Sequence, residues 1–136
     1  MNQKDFSTYI VACFIKKFPQ MKSYELDTHK DVNYLELESG QKLLNILVST
    51  RDNMLTVGFE AGKGLFYWHK HLLGEDSLDE KIELAFDWID DITLDKTGII
   101  YSSVLGYLPG TKEDLEETKK YQERDEVVEF RYWSEF

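Results

Sequence analysis

The chain has 136 residues, of which 42% are hydrophobic and 31% are charged, and its formal net charge is −10. This composition is typical of a folded domain with its own core and argues against a disordered chain. The acidic excess argues against nucleic acid and against an anionic membrane as partners, because both repel such a surface, and it favours a basic protein.

The first part of the chain predicts a helix over residues 3–18. Asn2 is placed to cap its first turn, and Pro19 disfavours helical geometry at the residue before it. The side chains that recur at helical spacing on one face are Phe6, Ile10, Cys13 and Phe14. A second apolar ridge consists of Val11, Ile15 and Phe18. The helix is therefore expected to be covered on more than one side, or to use the second ridge as an interface.

Neither a leader peptide nor a membrane span is predicted at this end of the chain. Its first residues are polar, and the apolar run over residues 10–15 is too short to cross a bilayer. Cys13 is the only cysteine, so an internal disulfide is excluded and a reducing compartment is favoured. At a core-facing helical position its thiol is predicted to be buried and inert. We expect a cytoplasmic protein without a membrane partner.

The next part of the chain predicts four strands joined by short turns. Apolar alternation and clusters of turn residues mark them at residues 31–38, 42–50, 54–60 and 65–71. The glycines of Gly62-Lys63-Gly64 predict the last of these turns. Connections this short imply an antiparallel meander. One face of the third strand is predicted to enter the core through Leu55, Val57 and Phe59.

Residues 77–91 predict an amphipathic helix that begins with a capping box at Ser77 and Glu80. Helical spacing predicts a buried stripe of Leu78, Ile82, Ala85, Phe86 and Ile89. The opposite side is acidic and carries Asp76, Asp79, Glu80, Glu83, Asp87, Asp90 and Asp91. Leu84 and Trp88 lie on the flank, between the buried and the acidic sides.

The concentration of acidic residues on this helix predicts a partner-binding surface. Residues 75–95 hold nine acidic residues and one basic residue, so most of the net charge lies there. Like charges at i,i+4 destabilise a helix, and a stripe of one sign therefore gives weight to recognition of a basic protein. A plain solvated face is the alternative. Leu84, Trp88 and the strand residue Trp68 are predicted to supply apolar anchors at such an interface.

The C-terminal part predicts a strand at residues 99–105, a loop at 106–110, a helix at 112–123 and a last strand at 126–133. The helix is polar and is expected to be largely exposed, with Thr111 and Asp114 as its cap pair. The whole chain, residues 1–136, is predicted to be a single α+β domain. Its antiparallel sheet, a meander plus C-terminal strands, would be packed by the N-terminal helix and the central acidic helix.

His69 and His71 define an alternative site. Alternate residues of a strand share a face, so both imidazoles could reach one metal ion. A zinc site needs a third ligand, for which Glu75 and Asp76 are candidates. The alternative function is a small metal-binding or ligand-binding module, whereas the main interpretation predicts neither a cofactor nor a catalytic residue.

The order of features between residues 54 and 105 carries a family resemblance. Leu55-Thr56-Val57-Gly58-Phe59 is followed by Trp68-His69 and His71, by an acidic helix that ends in Ile89-Asp90-Asp91-Ile92, and by a turn at Asp95-Lys96. This pattern resembles small bacterial immunity proteins of polymorphic and contact-dependent toxin systems. The resemblance implies a cytosolic α+β protein without enzymatic activity that masks a cognate toxin. Many toxins of these systems are nucleases with basic clefts, which an acidic inhibitor would complement.

The sequence thus predicts an immunity protein that occludes the active site of its toxin with an acidic surface. The histidine-centred module is the alternative. A third hypothesis is a structural protein that self-associates through the second ridge of the N-terminal helix, and the oligomeric state is left open.

Overall fold

The structure, a computed structural model, describes residues 1–62 and 65–136, with side chains described outside residues 61–67. The helices are α1 (Gln3–Lys17), α2 (Leu78–Thr93) and α3 (Lys112–Lys120). The strands are β1 (Lys22–Glu25), β2 (Asn33–Glu38), β3 (Asn45–Ser49), β4 (Thr56–Gly62), β5 (Leu65–His71), β6 (Gly98–Ser102), β7 (Gly106–Gly110) and β8 (Val128–Arg131). Short 3-10 turns cover Arg51–Asn53 and Trp133–Glu135. The predicted turn at Lys63 and Gly64 lies outside the described residues.

The strands form two antiparallel sheets. The larger sheet has the order β1-β2-β3-β4-β5, and the smaller has the order β7-β6-β8. The α+β class and the meander from β2 to β5 are confirmed, while the C-terminal strands form a sheet of their own. The edge strands β5 and β7 contact each other and so join the two sheets, whereas β1 and β8 are the edges away from this junction.

Two strands differ from the sequence predictions. β1 was not predicted, because its residues are polar and mostly exposed and show no apolar alternation. The predicted loop at residues 106–110 is wrong, since this segment pairs with β6 as β7. Pro109 cannot donate a backbone hydrogen bond, but it is tolerated because β7 is an edge strand.

The main core lies between the larger sheet and the helices α1 and α2. Phe14 of α1 packs edge-on against Phe86 of α2, with ring centroids 4.9 Å apart. Asn2 and Ser77 cap the two helices as predicted. The predicted core residues that are buried include Phe6, Ile10, Phe14, Leu55, Val57, Phe59, Ile82, Ala85 and Ile89. Burying this apolar surface favours folding by about 25 cal/mol per Å².

The second ridge of α1 is covered as well. Phe18 is buried, and Val11 and Ile15 are partly buried against the main core. The prediction that this helix is covered on more than one side is therefore confirmed. No helix in the described part of the chain has the length and apolar character that crossing a membrane requires.

The helix α3 is held mainly by its own cap. The backbone N–H of Thr111 donates to Oδ2 of Asp114 at 2.8 Å, and the Asp114 N–H donates back to the Thr111 hydroxyl at 3.2 Å. The Thr111 N–H and the Thr111 hydroxyl both donate to the Asp114 carboxylate, which favours its ionised form and lowers the pKa of Asp114 below its usual value. None of the nine described residues of α3 is buried. The predicted cap and the predicted exposure of this helix are both confirmed.

Candidate protein-interaction surface

The burial of the apolar stripe of α2 determines which side of the helix faces solvent, and that side is the acidic one. Ile82, Ile89 and Ile92 are buried in the main core. Successive residues of a helix turn by about 100°, so the acidic residues between these positions are carried round to the solvent side. The Ser77 hydroxyl accepts the Glu80 N–H at 3.2 Å and fixes where the helix begins.

Five predicted acidic residues line one shallow depression of about 390 Å³ on this side of α2. They are Asp76, Asp79, Glu80, Glu83 and Asp87, and all five are exposed. Leu84 also lines the depression and is 51% exposed. No basic side chain of the described residues lines it. An exposed apolar side chain therefore lies among negative charges.

Only some of these carboxylates stabilise the helix that carries them. Asp79 and Glu80 lie in the first turn, where the positive end of the helix dipole stabilises carboxylates. Glu83 and Asp87 lie four residues apart in the middle of the helix, where a like-charged pair destabilises it by about 0.2–0.5 kcal/mol. No ion pair to either is found among the described residues. These two carboxylates therefore have no evident role in stability.

The helix α1 engages two other acidic residues of α2. The Tyr9 hydroxyl donates to Oδ1 of Asp79, and this hydrogen bond raises the pKa of Tyr9 to about 12. Nζ of Lys17 lies 3.6 Å from Oδ2 of Asp90. Asp90 and Asp91 are half-buried. The exposed acidic surface is therefore narrower than the predicted stripe and is centred on the first three turns of α2.

The predicted tryptophan anchors pack against each other. Trp68 of β5 and Trp88 of α2 are half-buried and stacked, with ring centroids 5.7 Å apart and planes at 24°. The ring of Phe59 lies 5.4 Å from Trp88 and 6.1 Å from Trp68. These contacts hold α2 on the sheet. Leu84 is the predicted apolar anchor that projects into solvent.

His69 and His71 lie at the end of β5 with ring centroids 4.9 Å apart, and both are exposed. Nδ1 of His71 lies 2.7 Å from Oγ1 of Thr56 on the neighbouring strand, so this nitrogen is already hydrogen-bonded. Within residues 1–62 and 65–136, no group of three or more His, Cys, Asp or Glu side chains could hold a metal ion. The described residues thus bring the two imidazoles together without the third ligand that zinc needs.

Cys13 lines a groove of about 590 Å³ between α1 and α2. It packs against the main core but is only half-buried, so the prediction of a buried thiol is wrong. The reason is its position at the margin of the buried face of α1, beside the exposed Tyr9.

A second groove has no counterpart in the sequence predictions. It lies between α3 and the smaller sheet, and Trp68 also lines it. Its shape depends on β7 lying beside β5, and β7 comes from the segment predicted as a loop. The available signal was the apolar character of Leu108, to which the loop prediction gave no structural role.

No protein-family model matches this chain, and neither a curated protein nor a solved structure does so. A functional conclusion therefore depends on the geometry and charge of its surfaces.

Proposed function

We propose that this protein is an immunity protein that binds a cognate bacterial toxin in the cytoplasm and blocks its active site without catalysing a reaction. The acidic depression on α2 carries this proposal. Its central carboxylates, Glu83 and Asp87, repel each other, and no basic side chain in the described part of the chain forms an ion pair with either of them. A partner that supplies lysine or arginine side chains would relieve it.

Occlusion by this surface would proceed in two stages. The negative charge steers a basic toxin toward α2 and makes the association rate sensitive to salt. On contact, lysine and arginine side chains pair with the carboxylates, while Leu84 packs into an apolar recess of the toxin. The buried stripe of α2 holds the carboxylates on a rigid element, which lowers the entropy lost on binding.

A nuclease is the class of toxin that best fits this charge. An active site that binds a phosphate backbone is lined by lysine and arginine, and such a cleft is complementary to the α2 depression. The inhibitor would then occupy the site of the nucleic acid and exclude it by competition.

The test is a double charge reversal, Glu83→Lys with Asp87→Lys, in bacterial cells that co-express a toxic protein domain taken from a reading frame beside this gene. The native protein is expected to protect the cells, and the variant to lose protection because its affinity falls by at least about tenfold. The new lysines repel each other, but they lie three or four residues from Asp79, Glu80, Asp90 and Asp91, so opposite-charge pairs offset that repulsion and the melting temperature should be unchanged or higher. Survival counts measure the protection of the cells, and calorimetric titration measures the affinity for the toxin domain.

The matched control reverses Glu25 and Asp27, which are exposed on β1 and in the following turn. It changes the net charge by the same amount and should retain protection. If the α2 variant protects as well as the native protein, α2 is not the binding surface. If the native protein gives no protection, the immunity function itself is wrong.

A further inference from the structure

The smaller sheet and α3 border an open groove of about 510 Å³. Its apolar lining consists of Trp68, Ile100, Leu105, Leu108, Pro109 and Tyr121. Ile100 is buried, whereas Leu105 is 56% exposed and Tyr121 is 78% exposed. The groove therefore presents large apolar side chains to solvent on both of its sides.

The groove is open because α3 does not fill it. Leu115 and Thr118 are the most sheltered residues of this helix, and both are only half-buried. Its start is held by the Thr111–Asp114 capping box instead. A helix that lies over a sheet without inserting a buried side chain leaves room for side chains of another molecule.

The apolar surface extends onto the turn between β6 and β7. Ser103 joins this turn to the residue before β8, because its N–H donates to the Val127 carbonyl and its hydroxyl accepts the Val127 N–H, both at 2.9 Å. Val104 and Val127 are exposed there, close to Leu105. A cluster of exposed apolar residues of this kind is typical of an interaction site.

The rim of the groove is negative. Asp114, Glu117 and Glu126 line it, and no basic residue does so in the described part of the chain. The Ser102 hydroxyl donates to Oε2 of Glu126 at 2.6 Å and holds that carboxylate in place. Glu117 pairs with the exposed Lys120 at 3.2 Å, and such a pair contributes little, so a cation of a partner can replace this lysine.

We propose that this groove binds a segment of a partner protein in which apolar side chains are flanked by lysine or arginine. The apolar side chains pack between Leu105 and Tyr121, and the cations pair with the rim carboxylates. The observation that selects this partner is charge complementarity around an apolar recess. The inference goes beyond the function proposed for α2 and does not depend on it, because a different helix and a different sheet form the groove.

The test titrates the isolated protein with a short synthetic peptide in which leucines are flanked by lysines, followed by amide chemical shifts in NMR spectra. Binding is expected to shift the amides of Ile100, Leu105 and Tyr121. The exposed side chains allow truncation without loss of the fold, so Leu105→Ser and Tyr121→Ser should each raise the Kd by about tenfold or more. Glu117→Lys should raise it as well.

The control variant is Leu94→Ser, which truncates an exposed leucine at the end of α2, outside this groove. It should bind the peptide as the native protein does. Shifts confined to the region of Glu83 and Asp87 would overturn the proposal, because the cations would then bind α2 alone. Equal binding of a leucine–serine peptide would overturn the charge selectivity. A dimer that Tyr121→Ser dissociates would assign the groove to self-association instead.

Discussion

The helices α2 and α3 lie against different sheets and are held by different forces. Four residues of α2 are buried, and its apolar stripe joins the main core. None of the described residues of α3 is buried, and a reciprocal capping box fixes its start. Burial stabilises the first helix through tertiary contacts, whereas local hydrogen bonds and propensity support the second.

This difference shows how each half of the molecule can contribute to binding. The helix α2 presents charge to solvent, because its apolar residues are buried in the main core and its exposed side carries carboxylates. The helix α3 borders apolar surface, because the turn between β6 and β7 is exposed and most of β7 is only partly buried. Rigid charge suits recognition of a preformed basic site, and an open apolar groove suits a chain that inserts side chains.

The largest expected effect comes from truncating a buried apolar residue of α2, and the matched truncation on α3 should have a much smaller effect. Ile89→Ala on α2 should lower the free energy of unfolding by about 2–5 kcal/mol, since it leaves a cavity in a fully buried site. Leu115→Ala on α3 should lower it by less than about 1 kcal/mol, because that side chain is half-buried. Urea denaturation measures both. Equal losses would show that α3 is packed as firmly as α2.

A glycine in the smaller sheet should give an intermediate effect. A Cβ atom at Gly98 would lie 2.1 Å from Cζ of Phe130, so that ring has to move. Gly98→Ala is expected to destabilise the protein by about 1–3 kcal/mol, as overpacked sites do.

The paired variant for this site is Gly98→Ala with Phe130→Leu. The shorter side chain removes the clash, so the double variant should be less destabilised than the two single losses would give if added. Additive losses would mean that Phe130 does not limit the space at Gly98. Thermal and urea denaturation of all three variants measure these losses of stability.

The smallest expected effect concerns the contact between α1 and α2. The hydrogen bond to Asp79 favours the neutral Tyr9 hydroxyl, which raises the pKa of Tyr9 from 10.0 to about 12. Because the pKa is raised on folding, the contribution of this bond to stability is complete below pH 10 and is lost as the pH rises through about 12.

Ultraviolet titration of tyrosine ionisation checks this contact. Asp79→Asn should lower the pKa of Tyr9 toward its ordinary value, and Tyr9→Phe should remove the high-pH step. Asp5→Asn, on the first turn of α1, is the control and should leave the step in place. A native protein whose tyrosines all ionise near the ordinary pKa would show that Tyr9 does not donate to Asp79 in solution.

Periodicity predicted the well-packed half of the fold with its helix caps. The apolar stripes of α1 and α2 and the apolar alternation in β2 to β4 can be read from the sequence, because residues on one face recur at the period of the helix or strand. β1 has no such pattern, since an exposed edge strand buries little. β7 was missed because Gly106, Pro109 and Gly110 are typical turn residues, and only pairing with β6 makes them a strand.

In the candidate surfaces, too, periodicity predicted exposure along one helix but not the contacts between separate elements. The exposure of Glu83 and Asp87 followed directly from helical geometry and from the position of the buried stripe. The stacking of Trp68 on Trp88 did not, because it depends on how α2 crosses β5. The groove under α3 depends on the placement of β7 beside β5, and a contact between two sheets leaves no periodic signal in a sequence.

The free edges of the two sheets affect whether the protein polymerises at high concentration. β1 and β8 are four residues long and carry charged side chains, including Lys22 and Glu25 on the first and Glu129 and Arg131 on the second. Short, charged edges discourage strand-to-strand polymerisation, and β5 and β7 shelter each other. These edges therefore disfavour fibre formation, and they favour a partner that binds through side chains over one that adds a strand.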